Sequence, residues 1–232
     1  NAGDFAGAIE SLRALMSARP DDTRARVRYI DLYIQMGDES DLMEDYLQLA
    51  RIFIRKGSII EATQTFERLL TLHPDVAICR EEFVQFLFEQ GQVHRAVEET
   101  RVLVDLLEAG QNDAGAARAL DRALNYAPEE LDLRERLADI HLRTNHRGMA
   151  LETYRSLARH YEHNNDTPRL IRVIERIVRI DGLNVEFRQR LADLYHREGM
   201  IEQANEQYSL LADQYAEAGL YDLAEHQYRR ML

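Results

Sequence analysis

A sequence pattern that recurs every 54 residues constrains this chain more than any other feature. The recurring positions form three sets: Pro20, Pro74, Pro128 and Gly182; Gly37, Gly91, Asn145 and Gly199; Gly57, Gln111, Asn165 and Gly219. A fixed period of this size is typical of a solenoid, in which each repeat buries one face against its neighbours. Three full repeats span 21–74, 75–128 and 129–182, with a partial repeat at 1–20 and a nearly complete one at 183–232.

Each repeat is predicted to contain three helices. In the repeat 21–74 we place them at 23–36, 40–56 and 59–72, because apolar residues recur there with a helical period. Gly37 and Gly57 follow the first two helices, where a left-handed residue commonly ends a helix.

Asparagine replaces glycine at Asn145 and Asn165 and tolerates the same left-handed backbone. Thr167 followed by Pro168 predicts a helix start, with a capping side chain and a proline in the first turn. Because no segment alternates like a strand, we predict an all-α fold of about 13 antiparallel helices.

The residues at the junction of the second and third helices resemble the tetratricopeptide repeat. Tyr46, Leu49, Ala50 and Phe53 are followed by Gly57, Ala62, Phe66 and Pro74, and the pattern returns at Tyr208, Leu211, Ala212 and Tyr215, then Gly219, Ala224 and Tyr228. This resemblance implies a right-handed α-solenoid, one domain over 1–232, that binds other proteins. The Lys and Asn clamp with which some members grip chaperone termini is not recognisable here.

The repeat is 20 residues longer than the ordinary unit of 34, so we interpret it as one and a half units that share the middle helix. If successive helices are antiparallel, equivalent helices in adjacent repeats then run in opposite directions. The alternative is a three-helix repeat related more loosely to armadillo-like solenoids.

Composition narrows the classes of partner. The net charge of −12 disfavours nucleic acid, which requires a basic face. Long apolar runs are absent, so we expect no membrane insertion. Cys79 is the only cysteine, which excludes an intrachain disulfide and a cysteine-based zinc site.

The repeat 129–182 differs from its neighbours, because its ten acidic residues are balanced by ten arginines and it holds four of the eight histidines. Four of those arginines lie at helical spacing and predict one stripe along its third helix: Arg169, Arg172, Arg176 and Arg179. Arg155 and Arg159 on the preceding helix extend this candidate site for an acidic peptide or phosphorylated partner. The alternative is a solvated face paired with Glu175 and Glu186.

Other patterns favour structural roles. Two arginine columns recur in every repeat and flank the same junctions, so we assign them to packing and helix ends: Arg26, Arg80, Arg134 and Arg188; Arg68, Arg122, Arg176 and Arg230. Tyrosines at Tyr46, Tyr154 and Tyr208 predict packing between helices. His160 and His163 suggest a metal site only superficially, because no third ligand is identifiable.

We therefore expect a non-enzymatic scaffold that presents a curved helical surface to a protein or peptide, with no catalytic residue, cofactor or metal. The alternative is the regulatory or sensor arm of a larger enzyme or signalling protein. The chain begins within a repeat at Asn1 and stops within one at Leu232, so we expect a piece of a longer, cytoplasmic protein, in which targeting signals could lie outside this segment. Oligomeric state does not follow from the sequence.

Overall fold

The computed structural model describes residues 5–38 and 42–231, and these form thirteen α-helices and no strand. The helices are α1 (Phe5–Ala18), α2 (Thr23–Met36), α3 (Met43–Arg55), α4 (Ile59–Leu72), α5 (Ala77–Glu89), α6 (Val93–Ala109), α7 (Asp113–Tyr126), α8 (Leu131–Arg143), α9 (Arg147–His163), α10 (Thr167–Ile180), α11 (Val185–Arg197), α12 (Ile201–Glu217) and α13 (Tyr221–Arg229). The prediction of an all-α fold of 13 antiparallel helices is confirmed.

Helix boundaries follow the sequence landmarks closely. α2 and α4 have the predicted bounds, whereas α3 begins at Met43 and ends at Arg55. Residues 39–41, which include the predicted start of that helix, lie outside the described part of the chain. Helix starts recur at an interval of 54 residues, at 23, 77, 131 and 185 and again at 59, 113, 167 and 221.

The recurring turn residues end helices in the left-handed conformation. Gly57 has φ of 71°, and its N–H donates to Ile54 O at 2.9 Å while Ser58 N–H donates to Phe53 O at 2.9 Å. These two bonds satisfy carbonyls that the helix end leaves open. Asn145 (φ 64°), Asn165 (φ 54°) and Gln111 (φ 56°) adopt the same conformation with a side chain present.

The first arginine column ties the start of its helix to the preceding turn. Arg188 donates to Gly182 O at 2.7 Å, and Arg80 to Pro74 O at 3.4 Å. Arg134 donates in the same way to Pro128 O. The carbonyl lies six residues before the arginine in each case, which explains why the two landmarks recur together. The predicted structural role of this column is confirmed for these three arginines.

The chain divides into two compact units, which we name the first lobe (Asn1–Ala127) and the second lobe (Pro128–Leu232). In the first lobe Phe66 is fully buried, with its ring centroid 5.2 Å from that of Phe83 and 5.7 Å from that of Phe86. Ala50 and Ala62 are also fully buried, as expected for small residues that let helices approach closely.

The core of the second lobe is built around two buried tyrosines of the predicted packing column. Tyr154 and Tyr208 are fully buried, and their hydroxyls donate to Asp139 at 2.5 Å and to Asp193 at 2.9 Å. A buried phenol needs such a partner. The packing role predicted for these tyrosines is confirmed.

Candidate functional site

The candidate site lies in the repeat 129–182, which forms α8, α9 and α10 of the second lobe. α10 buries an apolar face consisting of Leu170, Ile171, Val173, Ile174, Ile177 and Val178. Its arginines therefore project from the opposite side of the helix. The helix starts where the sequence predicts, but the capping side chain is that of Asp166, which accepts from Arg169 N–H at 3.2 Å, and Thr167 is already helical.

Two of the stripe arginines are held by acids that sequence reasoning did not identify. Arg176 forms an ion pair of 3.2 Å with Asp139 on α8. Arg169 lies 3.5 Å from Asp166. The carboxylate proposed from sequence as a partner, Glu175, instead accepts from the hydroxyl of Tyr195 on α11. Partners therefore come from helices that pack alongside α10 or from its own N-terminal cap.

Arg172 and Arg179 are exposed, and neither forms a hydrogen bond or ion pair with any residue in 5–38 or 42–231. An exposed ion pair contributes little to stability, so an unpaired arginine on the surface is not by itself evidence of a binding site. The two arginines differ in location, because Arg172 lines a cleft and Arg179 does not.

The α9 arginines are placed differently. The guanidinium carbon of Arg155 lies 5.9 Å from the ring centroid of Phe187 on α11, and Arg159 Nε donates to Arg155 O at 3.4 Å. Neither residue lines the cleft that contains Arg172. Their role as an extension of the arginine stripe stays a prediction.

The cleft has a volume of about 500 Å³ and carries opposite charges on its two sides. Its lining comprises Glu129, Leu131, Asp132 and Glu135 at the start of α8, Tyr161 of α9, and Arg169 and Arg172 of α10. We name this the α8–α10 cleft. The equal numbers of acids and arginines in the repeat indicated a special composition, but only the packing of both α8 and α10 against α9 brings the two charges to one cleft.

Tyr161 is the least exposed polar residue of the cleft. Its side chain is 3% exposed, its hydroxyl forms no hydrogen bond with the described residues, and the guanidinium of Arg169 lies 5.9 Å from its ring centroid. Burial raises the pKa of Tyr161 and Glu135 adds to the rise, whereas Arg169 and Arg172 oppose it. The phenol is therefore a neutral hydrogen-bond donor at pH 7, and charges on both sides of the cleft influence its pKa.

An equivalent cleft in the first lobe has different chemistry. It has a volume of about 280 Å³ and is lined by Thr23, Arg24, Val27, Arg28, Asp31 and Phe53. These positions lie two repeats before those of the α8–α10 cleft, so Arg24 corresponds to Asp132, Val27 to Glu135 and Phe53 to Tyr161. The acidic side and the phenol therefore distinguish the α8–α10 cleft from the cleft of the first lobe.

The remaining candidates do not form a site of their own. His160 is bonded through its ring to the Asn164 side chain at 2.8 Å. In the described parts of the chain, no three or more of His, Cys, Asp and Glu are grouped so that they could hold a metal ion. Over the same residues, every helix is too short or too polar to cross a membrane.

Comparison with known proteins supports the resemblance for part of the chain. Residues 1–41 match a family model described as a tetratricopeptide repeat. This match covers the first helices and does not extend to the 54-residue, three-helix repeat as a unit. No curated protein matches the chain in sequence.

Solved structures of helical repeat proteins are distantly similar. A MamA double mutant is 15% identical over 94% of this chain and 98% of its own, with a TM-score of 0.34. A putative kinesin light chain with tetratricopeptide-like repeats from Podosopora anserina is 20% identical over 76% and 96%, with a TM-score of 0.31. The Cut9–Hcn1 complex matches at 12% identity over 98% of this chain and 52% of its own, with a TM-score of 0.27. Similarities at this level carry no inference about partners.

Proposed function

We propose that this chain is a non-enzymatic, tetratricopeptide-like module that binds a protein segment at the α8–α10 cleft. The match of residues 1–41 to a tetratricopeptide model supports this class, because such repeats commonly bind proteins. The observation that carries the location is Arg172, an exposed arginine without a partner among the described residues, which lines the same cleft as Tyr161, whose hydroxyl also lacks one.

The repeating element of this module is the 54-residue, three-helix unit, in which the middle helix serves two half-repeats. The recurrence of helix starts and of left-handed residues at that interval supports this proposal. Antiparallel packing of successive helices then points α8 and α11 of the second lobe in opposite directions.

Electrostatics favour the α10 side of this cleft as the place where an acidic group binds. The whole chain carries a net charge of −12, but the repeat 129–182 is neutral. Charges farther away than about 8 Å are largely screened at physiological salt, so an approaching carboxylate or phosphate responds mainly to the charged groups of the cleft itself, which are arginines on the α10 side and acids on the α8 side. Arg169, Arg172 and the Tyr161 hydroxyl are hydrogen-bond donors that line one cleft, and charged acceptors favour such donors.

The direct test replaces Arg169, Arg172 and Arg179 together by Glu and measures capture of the natural partner from the native organism. We expect unchanged helicity by circular dichroism, because these side chains are exposed, and loss of capture. The control replaces the exposed Arg24, Arg118 and Arg197, which changes the net charge by the same amount elsewhere on the chain. Equal capture by the two variants would show that the arginine stripe is a solvated face and not a binding site.

A further inference from the structure

The acidic side of the α8–α10 cleft is unexpected for a site that takes an acidic group alone. Glu129, Asp132 and Glu135 line it together with Arg169 and Arg172, and no ion pair joins Glu129 or Glu135 to either arginine among the described residues. Glu129 and Glu135 therefore share the cleft with the two arginines without pairing with them directly. A purely acidic ligand would meet like charge on the α8 side, which disfavours its binding.

We propose that the α8–α10 cleft selects a polypeptide segment in which an acidic and a basic side chain lie within a few residues of each other. In this arrangement, which rests on the proposed function, the carboxylate of the segment accepts hydrogen bonds from Arg172 and the Tyr161 hydroxyl. The cationic side chain of the segment pairs with Glu135 and Glu129.

The hydroxyl of Tyr161 gives the cleft a hydrogen-bond donor in addition to its charged side chains. The Tyr161 residue is 97% buried, but its hydroxyl oxygen remains in contact with solvent and has no partner among the described residues. Because this phenol lines the cleft, a ligand oxygen can accept from it. The equivalent residue in the first lobe, Phe53, lines its cleft without any such donor.

The ligand is a polypeptide and not a small zwitterion, because most of the charged lining is exposed. Glu129, Asp132, Arg169 and Arg172 are all exposed, and exposed ion pairs each contribute about 1 kcal/mol or less. A free amino acid offers at most two charges of one sign and one of the other, all close to a single carbon atom. A segment adds further contacts along α8 and α10, which is how many weak contacts produce useful affinity.

The charge pattern also excludes simpler ligands. A uniformly acidic segment places negative charge against Glu135, and a uniformly basic segment places positive charge against Arg172. Discrimination by such repulsion is a common route to specificity. A segment that alternates in sign satisfies both sides at once.

The test uses three acetylated and amidated dodecapeptides in one Ser/Ala background, carrying alternating Glu and Arg, Glu alone, or Arg alone, with free glutamate and arginine as small-molecule probes. Binding to the whole chain is measured by isothermal titration calorimetry. We expect the mixed peptide to bind about ten-fold more tightly than either single-charge peptide. Equal affinity for the mixed and acidic peptides, binding of the free amino acids as tight as that of the mixed peptide, or no binding of any peptide would overturn the proposal.

Three variants identify the residues responsible. Glu135→Gln is expected to weaken binding of the mixed peptide and to strengthen that of the acidic peptide, which abolishes the preference. Tyr161→Phe copies the aromatic ring of the first-lobe cleft and is expected to weaken the mixed peptide several-fold without loss of helicity. Arg118→Gln, at an exposed position one repeat before Arg172, is the control and should change nothing.

The outcomes separate this proposal from the function on which it rests. If Arg172→Gln reduces binding of acidic and mixed peptides alike while Glu135→Gln has no effect, the binding function stands and the mixed-charge preference is wrong. If Arg172→Gln and Arg118→Gln have equal effects on every peptide, both are wrong.

Discussion

Removing the hydroxyl of Tyr208 tests how the second lobe is held together. The ring is fully buried, its Oη donates to Asp193 Oδ1 at 2.9 Å, and Arg230 pairs with the same oxygen at 2.6 Å. In Tyr208→Phe the ring remains in place and Asp193 keeps Arg230 as a partner. The loss is therefore one hydrogen bond to a charged acceptor, and we expect the free energy of unfolding at pH 7 to fall by about 1–2 kcal/mol.

The same variant has a distinct alkaline signature. Burial, and then the hydrogen bond to Asp193, raise the pKa of Tyr208 from 10.0 to about 12. A proton held more tightly in the folded state stabilises the protein fully below pH 10, and this contribution is lost as the pH rises towards 12. One group with a raised pKa changes the free energy of unfolding by at most about 1.4 kcal/mol per pH unit, and by less near pH 10, where the phenol of the unfolded chain is only half deprotonated. The stability difference between wild type and Tyr208→Phe should therefore narrow by about 1 kcal/mol between pH 10 and pH 11.

The measurement is urea unfolding followed by far-ultraviolet circular dichroism at pH 7, 10 and 11. Tyr221→Phe is the matched control, because Tyr221 is 72% exposed and its substitution should leave stability at pH 7 unchanged. Equal stability of wild type and Tyr208→Phe at pH 7, together with parallel curves above pH 10, would refute the assignment of a stabilising hydrogen bond to this phenol.

Two further predictions concern helix ends. Gln111→Gly should raise the free energy of unfolding by about 0.5–1 kcal/mol, because Gln111 has φ of 56° and glycine adopts this conformation without strain; thermal denaturation showing destabilisation would contradict this. Asp166→Ala should lower the free energy of unfolding, measured in urea, by about 1 kcal/mol, because the hydrogen bond from Arg169 N–H to the capping carboxylate is lost. Thr167→Ala is its control, and an equal loss in both variants would show that Asp166 is not the cap.

Local signals in the sequence predict the turns well. Gly57 and Asn165 end helices at the predicted positions because the left-handed conformation depends on the residue itself and its immediate neighbours. The exchange of roles between Asp166 and Thr167 shows the limit of this reasoning. Both side chains can cap a helix, and only the hydrogen bond to Arg169 N–H shows which of them does.

The cleft could not be predicted in the same way. Asp139 pairs with Arg176 from 37 residues earlier in the chain, whereas sequence proximity favoured Glu175. Which acids face the arginine stripe depends on how α8 and α10 each pack against α9, and that packing is decided by buried residues on other faces of those helices. The recurrence of residue types identifies the unusual repeat, but it does not show which of its charges meet.

The measurement that tests the central claim most directly compares Arg172→Glu with Arg118→Glu. The two arginines occupy equivalent positions one repeat apart, both are exposed, and both variants change the net charge equally. Dissociation constants are measured for the partner recovered with the wild-type chain. We predict that Arg172→Glu weakens binding by about ten-fold or more, corresponding to about 1.4 kcal/mol, and that Arg118→Glu changes it less than about two-fold. Equal weakening by the two variants, or no weakening by Arg172→Glu, would contradict binding at the α8–α10 cleft.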